Sequence, residues 1–438
     1  MDEAKGSNLN MTSFDLDMET FLARWEDLAR EAEALTEAQM RRIDRIVEHN
    51  QEKVIRAFQK YRVSDYHFAG STGYGYNDRG RETLDLVYAE VFGAEAAIVR
   101  PHLASGTHTI AVALFGILRP GDELLFVTGS PYDTLHKVIG HPNDGIGSLE
   151  DWGIRCKFVP LRADGSADWE GVAQAATERT RVFAIQRSRG YGWRPSFTVS
   201  EIGEMARRIK EMAPNSVVFV DNCYGEFTEE TEPTQAGADL IAGSLIKNPG
   251  GGLAPSGGYI AGRADLVRLA SYRLTAPGIG GEVGAMLGTS RALYQGLFLA
   301  PLLVGQALKG SIFAAAVFER LGFETRPRWN DPRTDLIQAI RFAAPEPLIA
   351  FVQAIQKAAA VDAHVVPEPW DMPGYAHPVI MAAGTFIQGG SLELSADAPI
   401  REPYIAYMQG GLTYAHVKLA VRQACADLMA KGYLSLRE

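Results

Sequence analysis

The stretch Ala238–Gly262, ADLIAGSLIKNPGGGLAPSGGYIAG, sets one lysine, Lys247, three residues after Ser244 and just ahead of the glycines 250–252. Its immediate flanks are Leu245 and Ile246, with Pro249 following. An ordinary surface lysine would have polar company. This segment holds an amine in a partly apolar place, beside backbone that can approach a ligand closely. A buried amine can have its pKa lowered until it is nucleophilic at neutral pH, which Schiff-base chemistry requires.

Upstream of the lysine, short apolar runs alternate with helical stretches. The runs are AAIV (96–99), LLFV (124–127), KFVPL (157–161), VFAI (182–185) and VVFVD (217–221). Before the last run, TVSEIGEMARRI opens a helix: Thr198 and Glu201 have capping-box spacing, and Ile202, Met205 and Ile209 form its buried stripe. Strand, helix, strand is the signature of an α/β layer with a mostly parallel sheet. In such sheets ligands bind beyond the carboxyl ends of the strands. Chemistry is therefore sought there.

Three units are expected. Residues 1–61 form an N-terminal helical arm, 62–299 a large α/β domain, and 300–438 a smaller C-terminal α/β domain. Residues 1 to about 15 are expected to be disordered. From there Ile43, Val47, Val54, Phe58 and Tyr61 recur at helical spacing. This helix either packs on a partner subunit or covers its own domain. LLVGQALKGSIFAAAVFERLGF reads as a long helix, DLIQAIRF and PLIAFVQAIQ as strand and helix, and 384–411 as a glycine-rich loop.

A chain of 438 residues with 46% hydrophobic and 22% charged residues is a globular protein of more than one packed unit. A formal charge of −10 argues against a nucleic-acid partner. Cys156, Cys223 and Cys425 form no CxxC pair, so neither a metal site nor a disulfide framework is expected. No stretch approaches the roughly 20 apolar residues of a membrane span. The polar, acidic start MDEAKGSNLN is unlike a secretory signal. A cytoplasmic protein without membrane partners is expected.

Asp221 ends an otherwise apolar strand, either as a capping or core-satisfied group or as a functional one. A carboxylate and a lysine on neighbouring strand ends are what pyridoxal 5'-phosphate needs. The amine forms an imine with its aldehyde, and the acid keeps the pyridine nitrogen protonated so that the ring takes up electrons. Ser105, Gly106 and Thr107 sit at a helix N-terminus whose free N–H groups favour the phosphate, unless Ser105 is a plain cap. Ser244 can add a hydroxyl, and Tyr132, just past LLFV, can stack on the ring.

Together these residues resemble the fold-type I pyridoxal-phosphate enzymes, more narrowly the cystathionine/methionine lyase branch. That branch uses an SGM-type cradle, a stacking tyrosine, a VDN aspartate and an S-x-T-K lysine. Here these positions read SGT (105–107), Tyr132, VDN (220–222) and SLIK (244–247). QRSRGYGWRPS, VDNCYGEFTE, GSLIKNPGGG, GGSLELSADAPIREPY and YMQGGLTYAH resemble the methionine γ-lyase-like family often labelled aluminium-resistance proteins. The likeness covers residues 60 to 420.

The resemblance implies a homodimer or homotetramer with active sites at subunit interfaces, where Tyr76 and Arg79 of YGYNDRGR would hold a neighbour's cofactor phosphate. It also implies that Arg401 of APIREP holds the substrate carboxylate, the alternative being a surface arginine paired with Glu402. Arg187, Arg189 and Arg194 depart from the lyase pattern. They meet either the phosphate, an acidic loop, or an anionic group on the substrate, with Arg187 or Arg189 as the contact. The reaction implied is elimination of a thiol from Cβ or Cγ of a sulfur-containing amino acid, with Lys247 as the base and Tyr132 as a proton relay. Transamination, racemisation, decarboxylation or a non-catalytic, cofactor-binding regulator are the alternatives.

Overall fold

The computed structural model describes residues 13–140, 145–372 and 375–435, with side chains from Phe21 onward. The disorder expected at the start lies, up to residue 12, outside the described residues, and the backbone is helical from Ser13.

In chain order the elements are α1 (Ser13–Lys60), α2 (Arg79–Val91), β1 (Ala96–Arg100), α3 (Gly106–Ile117), β2 (Glu123–Phe126) and α4 (Asp133–Ile139). Next come β3 (Arg155–Phe158), α5 (Trp169–Ala175), β4 (Thr180–Gln186), α6 (Val199–Met212), β5 (Val217–Asp221) and β6 (Leu240–Ser244). β7 (Gly258–Gly262), α7 (Ala264–Leu274) and α8 (Ser290–Arg320) complete the larger part. The smaller part has β8 (Glu324–Arg326), β9 (Gln338–Arg341), α9 (Pro345–Lys357), β10 (Val379–Ala382), β11 (Ser395–Pro399), β12 (Ile405–Gln409) and α10 (Tyr414–Ala430).

The large sheet runs β1-β7-β6-β5-β4-β2-β3. The stretch from β6 to β3 is parallel, while β7 is antiparallel to both of its neighbours. Along each strand, successive residues enter opposite cores. Leu125, Phe183, Val218 and Ile241 join one; Leu124, Val182, Val217 and Leu240 join the other. A sheet covered on both faces needs apolar residues at every position, which is why these strands read as unbroken apolar runs. Parallel direction also delivers the ends of β2, β4, β5 and β6 to one edge. The capping box on α6 is present: Thr198 Oγ1 accepts from Glu201 N–H at 3.0 Å, and Glu201 accepts from Thr198 N–H at 2.8 Å.

The second sheet, β10-β11-β12-β9-β8, is antiparallel throughout. Two of its strands, β11 and β12, lie in the segment expected to be a glycine-rich loop. They are short, and β11 reads Ser-Ala-Asp-Ala-Pro, so small residues hide its alternation. Ala396, Ala398, Ala406 and Met408 enter the small core; the opposite face, with Asp397, Tyr407 and Gln409, turns away from that core.

α1 packs within its own chain. Phe21, Trp25, Ala29 and Ala32 enter the small core, and Ile43, Ile46, Val54 and Ala57 enter the large one. Its partner there is α8, which by length and composition could cross a membrane, contrary to the sequence-level expectation that no segment could. Two-thirds of its most apolar window is buried inside the protein, so that composition is what a core helix needs.

Candidate active site

Lys247 follows β6 and stands half-buried at the edge where the parallel strands end. A cavity of about 140 Å³ opens there. Lys247, Asp221, Gly106, Thr107 and Tyr132 all line it. Five residues drawn from four separated segments thus converge.

Each is placed by local structure. Asp221 ends β5 and accepts a hydrogen bond from Cys223 N–H at 3.2 Å. Gly106 begins α3, and a Cβ there would sit 3.3 Å from Cys223 Sγ, 3.6 Å from Ser244 Cβ and 3.8 Å from Lys247 Nζ. Only glycine leaves that space to a ligand. The Ser105 hydroxyl accepts from His108 N–H at 3.0 Å, so it is a helix cap. What the segment offers an anion is the start of α3, with first-turn N–H groups that lack an intrahelical acceptor, and Thr107 Oγ1, 2.7 Å from Thr134 Oγ1. Tyr132 caps the start of α4, and its hydroxyl lies 3.0 Å from that of Tyr375.

The electrostatics correct one expectation. Burial alone would lower the Lys247 pKa, but Cys223, Tyr224, Asp221 and Glu226 raise it by more, so the amine is held above its ordinary value. The thiol and phenol act only once ionised, and burial pushes both of them up as well. Asp221 is the carboxylate among the four that lines the cavity. Its own pKa is raised by burial, against the opposing pull of Lys247 and the Cys223 N–H. Lys247 Nζ also lies 4.1 Å from the centre of the Tyr224 ring.

The arginines of the 187–194 loop do not reach this cavity. Arg187 is fully buried, donating to Asn222 Oδ1 at 2.8 Å, Thr228 Oγ1 at 3.3 Å and Glu229 Oε2 at 2.8 Å. Its guanidinium also lies 3.6 Å from buried Glu232. This corrects the expectation that Arg187 contacts substrate: a charge with that many internal acceptors is structural. Arg189 lies 3.8 Å from Asp335 and lines a different cavity, with Pro195, Thr198, Arg326 and Thr334. Arg194 clamps its own loop through the carbonyls of Gln186, Ser188 and Pro195.

Tyr76, on the loop entering α2, and Arg79, the first residue of that helix, are exposed, and Tyr76 stacks on Tyr74 with ring centres 5.5 Å apart. Buried Arg81 ties that loop down through the carbonyls of Gly75, Gly284 and Glu282. Arg401 follows β11, half-exposed; among the described residues its side chain pairs with no acid, Glu402 included. Burial pushes the Tyr407 pKa up, and Arg401 lies near enough to act against that shift by favouring the ionised phenol.

Several residues escaped the sequence reading. Gln186, Ser188, Gly190, Cys223 and Tyr224 line the cavity. Tyr191 packs edge-on to Tyr132 at 5.6 Å between ring centres. Asp397 reaches the same region from β11, within the electrostatic influence of Lys247. The first six sit within the motifs QRSRGYG and VDNCYG, whose other residues drew the attention. Asp397 carried no such signal, because β11 is spelled with small residues that hide its alternation.

The family model for methionine gamma-lyase matches residues 25–429. A Listeria monocytogenes structure, described as a candidate cystathionine beta-lyase involved in aluminium resistance, is 56% identical. It covers 91% of this chain and 98% of its own, with a TM-score of 0.89. The Clostridium novyi carbon-sulfur lyase involved in aluminium resistance is 48% identical, covering 95% of this chain and 99% of its own, also at 0.89. The Escherichia coli pyridoxal-5'-phosphate dependent protein YhfS, 17% identical with a TM-score of 0.57, shares the fold alone. The architecture is that of the fold-type I enzymes, and the chain belongs to the methionine gamma-lyase family.

Proposed function

We propose that the protein is a pyridoxal 5'-phosphate-dependent lyase that eliminates a thiol from Cβ or Cγ of a sulfur-containing amino acid. The observation that carries this reading is the convergence of Lys247, Asp221 and the Gly106–Thr107 helix start on one cavity.

The residues fit that cofactor. Ser244 Oγ and Gln186 Oε1 are buried without a hydrogen-bond partner, and the Gly106 position leaves open space beside the Lys247 amine. Lys247 would anchor the aldehyde, Asp221 would face the ring nitrogen, and Tyr132 would stack on the ring. The start of α3, Thr107 and Ser244 would take the phosphate. Tyr76 and Arg79, exposed here, would complete the phosphate site of a neighbouring copy in a homo-oligomer. When bound, the cofactor supplies an electron sink for the pair left by a departing α-proton. The rest belongs to this chain. Lys247 Nζ takes and holds that proton. The Tyr132 hydroxyl, in contact with Tyr375, can pass a proton to the departing sulfur. Arg401, uncommitted to an acid, holds the substrate carboxylate through two parallel hydrogen bonds.

Elimination releases 2-oxo acid and ammonia in equal amounts with no amino acceptor present. A screen of sulfur-containing amino acids for both products is the test. Turnover that requires an acceptor would replace elimination by transamination. Arg401→Ala is expected to raise KM by about 10-fold to 100-fold, the size of a lost charge-assisted contact, with a smaller change in kcat. Steady-state kinetics on the best substrate from the screen check this.

A further inference from the structure

Asp397 takes no part in the chemistry above. In β11 it pairs across the sheet with Met381 of β10 and Tyr407 of β12. Ala396 and Ala398 turn into the small core, so Ser395 and Asp397 share the opposite face. Gln409 Nε2 donates to Asp397 Oδ2 at 3.1 Å. No basic side chain forms an ion pair with it among the described residues. Its charge is felt by Lys247 and by Tyr132, Tyr191, Tyr224 and Tyr375; Tyr132 and Tyr224 line the cavity, and Tyr191 and Tyr375 pack against Tyr132. A half-buried carboxylate that no basic side chain pairs directly is costly, and such groups concentrate at functional sites.

The surroundings favour one kind of partner. Ser395 Oγ is buried and completes no hydrogen bond, and the buried Tyr191 Oη, with no partner of ordinary geometry, is turned toward Asp397. Both can accept. An ammonium brings three donors and a positive charge to acceptors of this kind. A purely apolar thioether tail would leave Asp397 facing a group that answers neither its charge nor its lone pairs. The arginines that would have favoured an anionic tail are held elsewhere, Arg187 by Glu229 and Asn222 and Arg189 beside Asp335.

We propose that Asp397 recognises a protonated amine on the leaving side chain, so that the substrate class is an amino acid whose sulfur substituent ends in an ammonium group. This rests on the elimination reading of the same site.

Two probes of matched length separate charge from shape: S-(2-aminoethyl)-L-cysteine and S-propyl-L-cysteine. The measured quantity is the ratio of their kcat/KM values in the cofactor-loaded protein. The wild type should favour the cationic probe by about tenfold or more, the size of one charge-assisted hydrogen bond. Asp397→Asn should collapse that ratio. An independent arm uses the unmodified protein. Burial pushes the Asp397 pKa up to about 6, against the opposing effects of Tyr191, Gln409 and Lys247. The carboxylate is charged above that value, so the preference should be full near pH 8 and fade as pH falls through about 6. Titrations of Lys247, Tyr132, Tyr191, Tyr224, Tyr375, Tyr407 and Arg401 act on both probes alike and cancel in the ratio. No preference in the wild type, a ratio untouched by Asp397→Asn, or a ratio independent of pH would each overturn the proposal. If neither probe is turned over, the elimination reading fails by itself. The same ratio is then read from dissociation constants by calorimetry, and an Asp397-dependent preference there keeps the recognition standing.

Discussion

Lys247→Ala is expected to lower 2-oxo acid release by about 10³-fold or more while leaving the protein folded. The loss is large because one nitrogen has two duties, anchoring an aldehyde and carrying the α-proton, and no other amine lines the cavity among the described residues. The fold should survive because the side chain is half-buried and its amine rests over the face of Tyr224. Removing the amine also removes the positive charge that opposes protonation of Asp221, so that carboxyl should bind its proton more readily in the variant. Lys247→Arg separates the two consequences. It restores a positive charge to the cavity but supplies no group that can condense with an aldehyde or exchange a proton near neutral pH. It should therefore be as inactive as the alanine variant. Thermal melting and product release measured on both variants decide the matter, and near-wild-type turnover in either would remove Lys247 from the chemistry.

The residues legible from sequence share one property: each stands just past a strand of a parallel sheet. Tyr132 after β2, Asp221 at the end of β5 and Lys247 after β6 are found by a positional rule, and topology then brings them together. Arg187 also follows a strand, yet that rule failed for it. Its acceptors, Asn222, Thr228 and Glu229, are distant in sequence, and nothing in the spelling of QRSRG says which way the guanidinium turns. Asp397 was hidden for a different reason. Short antiparallel strands built from serine, alanine and proline carry little apolar periodicity, so β11 and β12 read as loop. A carboxylate on a loop has no assigned direction, whereas on β11 it must face opposite to Ala396 and Ala398. Asp397 was thus invisible because the strand that aims it was invisible.

Gly250→Ala is expected to cost about 4 kcal/mol or more, the range reached only when packing or backbone geometry is broken outright. The reason lies in the glycine run that follows the lysine. An alanine Cβ at position 250 would come 1.7 Å from the carbonyl oxygen of Leu245 and 2.6 Å from Ala254 Cβ. The first obstacle is backbone, so no side-chain rotation relieves it. Across the same contact, a Cβ on Gly251 would meet the carbonyl oxygen of Gly296 in α8 at 2.1 Å, and one on Gly296 would meet that of Gly250 at 2.2 Å. Backbone lies against backbone there, and the loop after β6 is thereby pressed onto the long core helix. That contact holds Lys247 in place: the turn Asn248–Gly250 begins directly after it, and Asn248 Nδ2 donates to the carbonyls of Tyr224 and Glu226 at 3.0 and 2.9 Å. The variant should lose stability and activity together, unlike Lys247→Ala, in which activity falls alone. Gly70→Ala is the control, since a Cβ there meets nothing within 4 Å, and its effect should stay within about 0.5 kcal/mol. Denaturant unfolding of the three variants tests the distinction, and a Gly250→Ala protein as stable as the control would show that this close approach does not hold the catalytic lysine.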